Sequence, residues 1–198
     1  MKKFLLFLLS SAFVLLMMGV AGATIYTFQP PDPDLGDLDH WRYYTWGINC
    51  SIPEGEHITE ASLFFDDIRN WDNNPNELYV HLLDSAIVGV EVGWDFQGNG
   101  NYFAGQGVEL FNWKDLPNTA QDLTYYFSDV DISFLESYIG NDGNFGFGFD
   151  PDCHFWNNGI TLTLETATAP VPEPATMLLL GSGLIGMVGV SRKKFRKK

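Results

Sequence analysis

The feature that most constrains this 198-residue chain is the alternation of apolar and polar residues between positions 24 and 170, here called the central segment. Alternation of this kind is typical of strands with one buried face, whereas an amphipathic helix repeats every three to four residues. Glycine, proline, asparagine and aspartate interrupt the pattern at short intervals. The pattern predicts strands at residues 24–28, 43–49, 58–68, 78–83, 87–92, 107–111, 123–127, 145–149 and 160–164.

Short strands at this spacing predict an all-β fold, an antiparallel β-sandwich that is jelly-roll-like. One short helix is predicted at residues 131–139, where Asp129 or Asp131 can cap the start and Gly140 can end it. The doubled Phe64-Phe65 predicts a β-bulge within the third strand. We expect the sandwich to be flanked by an N-terminal signal helix and a C-terminal hydrophobic helix.

The first 23 residues have the three parts of a secretory signal peptide. Lys2 and Lys3 supply the charged start, residues 4–20 are apolar, and Ala21-Gly22-Ala23 follows directly. Signal peptidase accepts small residues at these positions. Cleavage after Ala23 is therefore predicted, and it would export the central segment.

The last 27 residues have an equally distinct order. Pro172-Glu173-Pro174 is followed by a 16-residue apolar run at 175–190 and then by a basic cluster that begins at Arg192. As a helix, the run would reach about 24 Å at about 1.5 Å per residue, which is the lower limit for crossing a bilayer core of about 30 Å. Basic residues favour the cytoplasmic side. The segment therefore predicts a membrane anchor, or a sorting signal built like one.

These three parts in this order resemble the PEP-CTERM sorting tail. The resemblance implies cleavage near Pro172-Glu173-Pro174 by exosortase, a membrane-embedded cysteine protease, in a Gram-negative bacterium that makes extracellular polysaccharide. It also implies an inner-membrane intermediate on the way to the cell surface or the extracellular matrix. An anchor that is left uncut is the alternative. Three stretches of the central segment, D-L-D-H-W, L-Y-V-H-L-L-D and G-F-D-P-D-C-H-F-W-N-N-G-I, also resemble PEP-CTERM proteins of this size.

The predicted organisation is thus a signal peptide (1–23), a β-sandwich (24–165), a linker (166–171) and a sorting tail (172–198). The charge is unevenly divided among these parts. Three cations against 24 acids give the central segment a net charge of −21. Such a surface repels nucleic acid and attracts metal cations, so nucleic acid is excluded as a partner.

Cys50 and Cys153 are the two cysteines of the chain, and both lie in the central segment. Export places them in an oxidising compartment, so an intramolecular disulfide is predicted. It would close a loop of about 100 residues and contribute about 4–5 kcal/mol in the chain-entropy model. Two buried thiols or an intermolecular bridge are the alternatives.

Residues 145–158 are the most informative stretch of the central segment. Gly146 and Gly148 leave one strand face bare, so a large group is expected to pack against that face. Asp150, Asp152 and Asn157 follow and supply oxygen atoms of the kind that calcium prefers. We therefore consider a calcium site at these three residues. The alternative is that they form turns and cap strand ends.

All six tryptophans lie in the central segment. Exposed indole rings can stack on the apolar face of a sugar, whereas buried ones fill the core. Trp71 lies between Asn70 and Asp72 in a polar loop, and Trp113 lies near glycine-rich sequence. These two are the candidates for glycan stacking.

The sequence carries none of the common catalytic motifs, so no enzyme activity is predicted. G-x-S-x-G and H-E-x-x-H do not occur, and the four histidines are scattered. We expect an exported structural or adhesive protein that associates with extracellular polysaccharide, with exosortase and signal peptidase as processing partners. A dedicated carbohydrate-binding module is the first alternative, and a glycan-active hydrolase or lyase is the second.

Overall fold

The computed structural model describes residues 22–96, 100–114, 116–168 and 181–183. The signal peptide up to Ala21, the Pro172-Glu173-Pro174 motif and almost all of the apolar run at 175–190 lie outside the described residues. Within the described residues, no helix is both long enough and apolar enough to cross a membrane. Residues Ala23–Ala167 form one compact unit, which carries both of the sheets.

The described residues of the compact unit form β-strands and one helix of 14 residues, joined by loops. In chain order they are β1 (Ala23–Phe28), β2 (Arg42–Asn49), β3 (Glu56–Asn70), β4 (Glu77–Leu83), β5 (Gly89–Trp94), β6 (Val108–Lys114), β7 (Gln121–Tyr126), α1 (Asp129–Asp142), β8 (Asn144–Pro151), β9 (Phe155–Trp156) and β10 (Gly159–Thr168). The alternating burial along β3 and β10 is the structural counterpart of the alternation in the sequence.

The strands form two antiparallel sheets. The first sheet has the order β1-β10-β3-β7, with β9 paired to the end of β3, and the second has the order β5-β2-β8-β4-β6. The chain therefore moves repeatedly from one sheet to the other between consecutive strands. Interleaving of this kind is typical of the Greek-key connections in jelly-roll folds. The prediction of an all-β protein with antiparallel sheets is confirmed.

Aromatic side chains fill the space between the two sheets. Phe145, Phe147 and Phe149 of β8 are fully buried. Phe65 of β3 lies opposite, with its ring centroid 6.1 Å from that of Phe149 and 4.8 Å from that of Trp113. Edge-to-face contacts of this kind favour a dense, specific core over a fluid one.

The outer face of β8 is covered by the ring of Phe103. A Cβ placed on Gly148 would lie 2.8 Å from this ring, and Phe103 itself is 2% exposed. Beside it, a Cβ on Gly146 would lie 2.6 Å from Ala86. The prediction that a large group packs against the glycine face is confirmed, and the loop that carries Phe103 is thereby fixed on the second sheet.

The predicted helix is present but longer than expected. Ser128 caps the start of α1 in a capping box with Asp131, and Gly143 ends it in the left-handed conformation with φ of +78°. Gly140, predicted as the end, lies inside the helix. Gly143 takes that role because its N–H bonds to the carbonyl of Ile139 at 2.9 Å.

Two further boundaries differ from the sequence prediction. The register of β3 against β7 breaks between Phe65 and Ile68, with Asp67 at a φ of +50°, so the bulge lies just after the doubled phenylalanine. Strand β10 continues to Thr168, three residues into the range that was predicted as a linker. Thr166 is buried, and its hydroxyl donates to Glu56 Oε2 at 2.6 Å.

The predicted disulfide between Cys50 and Cys153 is wrong, because both cysteines are free. Cys50 follows β2 at the end where Asn49 pairs with Asn144, whereas Cys153 follows β8 beyond Pro151. The two therefore lie at opposite ends of the eight-residue strand β8, about 20 Å or more apart at about 3.3 Å per residue. A disulfide requires Cα atoms within about 7 Å.

Candidate functional site

One end of the sandwich carries four of the six tryptophans on its surface. Trp41 immediately precedes β2, Trp71 immediately follows β3, and Trp94 and Trp156 are the last residues of β5 and β9. We call this surface the tryptophan end. Its indole rings are roughly half exposed: Trp41 50%, Trp71 55%, Trp94 57% and Trp156 40%.

Asp39 links two parts of the tryptophan end. One carboxylate oxygen lies 3.7 Å from Arg42 Nε, and the other lies 3.1 Å from His154 Nδ1. The guanidinium of Arg42 in turn lies 4.6 Å from the ring centroid of Trp94, a distance at which a cation is attracted to the ring. The Arg42 guanidinium therefore holds the Trp94 ring in place while more than half of Trp94 stays exposed.

The second part of the surface is built around Trp156. The ring of His154 lies 4.4 Å from it, and the guanidinium of Arg69 lies 6.0 Å from its centroid. Trp71 is held beside them, since its backbone N–H donates to the His154 carbonyl at 3.1 Å and its Nε1–H donates to Cys153 Sγ at 2.9 Å. Arg42 and Arg69 thus bring two of the three cations of the acidic central segment to this surface.

Trp41 stands in a strained backbone conformation at the edge of the tryptophan end, with φ of +67°. Residues of this kind rarely adopt a positive φ, and such strain is concentrated at functional sites. Its carbonyl accepts a hydrogen bond of 2.9 Å from the backbone N–H of Asp95, which follows Trp94. This backbone hydrogen bond therefore holds the segment that carries Trp41 next to the segment that carries Trp94.

The two predicted stacking residues have different environments. Trp71 is exposed at the tryptophan end. Trp113 is instead partly buried, and its ring packs against the core, 4.3 Å from Phe111 and 4.8 Å from Phe65. These contacts leave less of the Trp113 ring open to a ligand than of the Trp71 ring, and stacking at Trp113 stays a prediction.

The predicted calcium ligands are divided between two places. Asp150 and Asp152 lie under the segment that follows the Asp95 loop, where they accept hydrogen bonds from the backbone N–H groups of Tyr102 and Gly100 at 2.7 and 3.3 Å. Asn157 lies elsewhere, with its side-chain amide donating to the Asp34 carbonyl at 2.9 Å. The hydrogen bonds thus connect Asp150 and Asp152 to one segment and Asn157 to another, and calcium binding by all three residues stays a prediction.

Asp150 is buried, with 1% of its surface exposed. Its pKa is raised to about 7, mainly by burial and also by the nearby carboxylates of Asp95 and Asp152, while the Tyr102 hydrogen bond acts in the opposite direction. Burial also raises the pKa of Asp152. These three acids, here called the acidic pocket, include Asp95, which the sequence analysis did not select.

A different acidic group lies on the first sheet. Among the described residues, Asp66, Asp67 and Asp122 are the three whose carboxylate oxygens lie within 4.8 Å of one another. Burial and its two neighbours raise the pKa of Asp66. Hydrogen bonds within the group and from Asn158 hold it in place, since Asp67 N–H donates to Asp122 at 3.2 Å and Asn158 donates to Asp67 at 2.7 Å.

A cleft of about 500 Å³ lies beside Cys50 and the end of α1. It contains His57 and two glutamates, but both carboxylates already bind the protein itself. Glu136 accepts from the backbone N–H of Ile58 at 2.7 Å, and Glu56 accepts from the Thr166 hydroxyl at 2.6 Å. Burial raises the pKa of the Cys50 thiol, which disfavours the thiolate.

The sequence analysis did not identify Trp41, Trp94, Trp156 or Arg42 as site residues. The available signal was their position, because Trp41-Arg42 and Trp94-Asp95 each fall at a strand boundary, where side chains project beyond the sheet. Their exposure could not be deduced from composition, since Trp46 of the same chain is buried and Trp113 is partly buried.

Comparison with known proteins identifies the C-terminal segment. Residues 170–193 match the PEP-CTERM protein-sorting motif. The chain carries an exosortase sorting signal. This signal marks a bacterial protein for export and for exosortase-dependent sorting to the cell envelope. No curated protein matches the chain.

Proposed function

We propose that this protein is a non-catalytic, structural or adhesive component of the cell surface or the extracellular matrix, and that it holds polysaccharide at its tryptophan end. The observation that carries the proposal is the grouping of four half-exposed tryptophans among charged and polar side chains. Export by the sorting signal brings this surface to the compartment in which extracellular polysaccharide is found.

The chemistry of the tryptophan end suits a sugar polymer. A pyranose ring has an apolar face that stacks on an indole and a rim of hydroxyl groups that need hydrogen-bond partners. Trp94 and Trp156 offer such faces, and Asp39, His154 and Arg69 lie beside them. The net charge of −21 favours a neutral polymer, or an anionic one whose charge is bridged by cations.

A dedicated carbohydrate-binding module is the second candidate, and the same exposed indoles favour it. The two candidates differ in what they bind. A module recognises a short, defined oligosaccharide, whereas an adhesive protein gains its affinity from many weak contacts along a polymer. A glycan array that contains both oligosaccharides and polymers distinguishes them.

The test is affinity electrophoresis of the full-length protein through gels that contain polysaccharide from the producing cells. Retardation is expected for the unaltered protein. Trp94→Ala and Trp156→Ala should each weaken binding about three- to tenfold, because one aromatic stacking contact contributes about 0.5–1.5 kcal/mol. Both indoles are exposed, so the fold should tolerate these changes.

Tyr126→Ala is the matched control, because Tyr126 is a 73% exposed aromatic residue on β7, outside the tryptophan end. It should bind as the unaltered protein does. Absence of retardation in every polymer gel, or equal weakening by Tyr126→Ala, would contradict the proposal. Release of reducing sugar during the assay would instead favour the hydrolase.

A further inference from the structure

The acidic pocket is assembled from segments that are far apart in sequence. Asp95 follows β5, while Asp150 and Asp152 stand at the end of β8 and just beyond it. Asp150 Oδ2 accepts from Tyr102 N–H at 2.7 Å, and Asp152 Oδ1 accepts from Gly100 N–H at 3.3 Å. The registers of β5 and β8 against β2 place Asp95 at the same end of the second sheet as these two aspartates, and Asp95 acts electrostatically on both.

One oxygen atom of the acidic pocket has no partner. Asp150 Oδ1 is buried and makes no hydrogen bond to any described residue. Across the described residues, no lysine or arginine forms an ion pair with Asp150 or Asp152. The charges that act on Asp150 are those of Asp95 and Asp152, both negative. A buried carboxylate oxygen without donor or cation is costly, and native proteins usually satisfy it with water or an ion.

We propose that Asp95, Asp150 and Asp152 bind one calcium ion. Calcium takes six to eight oxygen ligands in flexible geometry, so water would complete the coordination of the three carboxylates. Unlike Asp66, Asp67 and Asp122, the carboxylates of the acidic pocket do not all lie within 4.8 Å of one another. Binding therefore draws them inward and supplies the partner that Asp150 Oδ1 lacks.

The acidic pocket is preferred over the group of Asp66, Asp67 and Asp122 for a physical reason. In that group no carboxylate oxygen is both buried and without a partner among the described residues. Asn158 and the backbone of Asp67 already donate to it. Closeness of partly exposed acids does not by itself require an ion, whereas the unsatisfied oxygen of Asp150, at 1% exposure, needs a water molecule or an ion as its partner.

The ion would also organise the tryptophan end. Asp95 directly follows Trp94, and its backbone N–H donates to the Trp41 carbonyl at 2.9 Å. Fixing the Asp95 side chain therefore restrains both indoles. This consequence rests on the proposed function, whereas calcium binding itself does not.

The experiment is calorimetric titration of CaCl₂ into the full-length, EDTA-treated protein in detergent, together with thermal unfolding in EDTA and in millimolar CaCl₂. Binding is expected with a Kd of about 10⁻⁴–10⁻³ M, the range of extracellular calcium modules. The unfolding temperature should rise by about 2–4 °C. Asp150→Asn should remain folded in EDTA, because the amide oxygen still accepts the hydrogen bond from Tyr102 N–H. It should show neither the heat of calcium binding nor the rise in unfolding temperature with CaCl₂.

The double variant Asp66→Asn/Asp122→Asn is the matched control and should retain calcium binding. Asp95→Asn should lose it, which provides a second test if Asp150→Asn fails to fold. The proposal is overturned if the unaltered protein shows neither heat nor shift, or if the double variant loses binding while Asp95→Asn and Asp150→Asn keep it. Calcium binding without retardation in polysaccharide gels would overturn the proposed function and leave the calcium site standing.

Discussion

Asp150 and Glu77 are acids at neighbouring positions of the second sheet whose pKa values move in opposite directions. Burial raises the pKa of Asp150 to about 7. Hydrogen bonds from Lys114, from the Tyr79 hydroxyl and from Asn112 lower the pKa of Glu77 to about 2, with Lys114 Nζ at 2.7 Å from its carboxylate. The difference between the two pKa values arises from burial at Asp150 and from the hydrogen-bond donors around Glu77, and not from the residue type.

At the residue scale, Asp150→Asn should change how stability depends on pH. Between about pH 4 and 7, native Asp150 holds a proton that the unfolded chain has lost. The unaltered protein should therefore lose about 1–2 kcal/mol as pH rises from about 5.5 to 8 in EDTA, relative to Asp150→Asn. Urea unfolding at several pH values measures this difference. Parallel pH profiles for the two proteins would show that Asp150 has an ordinary pKa.

Helix α1 shows how local chemistry sets the limits of an element. Ser128 N–H donates to Asp131 Oδ2 at 2.9 Å, and Asp131 N–H donates to Ser128 Oγ at 3.2 Å. The Tyr125 hydroxyl donates to the same carboxylate at 2.8 Å. The capping box thus joins the helix start to β7, while Leu135 packs into the core.

At the element scale, Ser128→Ala should destabilise the protein by about 1 kcal/mol, because it removes the cap of the Asp131 N–H and one partner of the Asp131 carboxylate. Ser133→Ala is the control within the same helix. Ser133 is exposed and its hydroxyl donates to the Val130 carbonyl at 2.7 Å, so its replacement by a better helix former should be neutral or slightly stabilising. Urea unfolding measures both; equal losses would argue against the cap.

The molecule as a whole combines a strongly acidic sandwich with thiols that cannot reach each other. Cys50 is buried near the end of α1, whereas Cys153 accepts a hydrogen bond from Trp71 at the tryptophan end. Stability in an oxidising compartment must therefore come from the aromatic core between the sheets and not from a covalent link.

At the scale of the whole molecule, the purified protein should contain two free thiols. Alkylation under denaturing conditions without reductant should label both Cys50 and Cys153, as measured by mass spectrometry of the intact chain. A reductant should leave the unfolding temperature unchanged. Cys153→Ser should behave in the same way, because no cross-link is lost. Detection of an unlabelled chain lighter by two hydrogen atoms would establish the intramolecular bridge that the structure excludes.

Several features of this protein could be predicted from the sequence by itself because they depend on local patterns. Alternation predicted the sheets, Gly146 and Gly148 predicted a large group on the bare face of β8, and the order of segments at residues 172–198 predicted the sorting signal. Each of these properties is determined within a few residues of chain. Because these properties depend on residues that are close in the sequence, they can be predicted from a single sequence.

The site was decided only by the tertiary structure. Trp41, Trp71, Trp94 and Trp156 meet because four different strand ends lie at the same end of the sandwich, and the acidic pocket forms because Asp95 comes beside the end of β8. The same registers separate Cys50 from Cys153. Strand pairing joins residues that are about 50 to 100 positions apart, and no local pattern records which ends will meet.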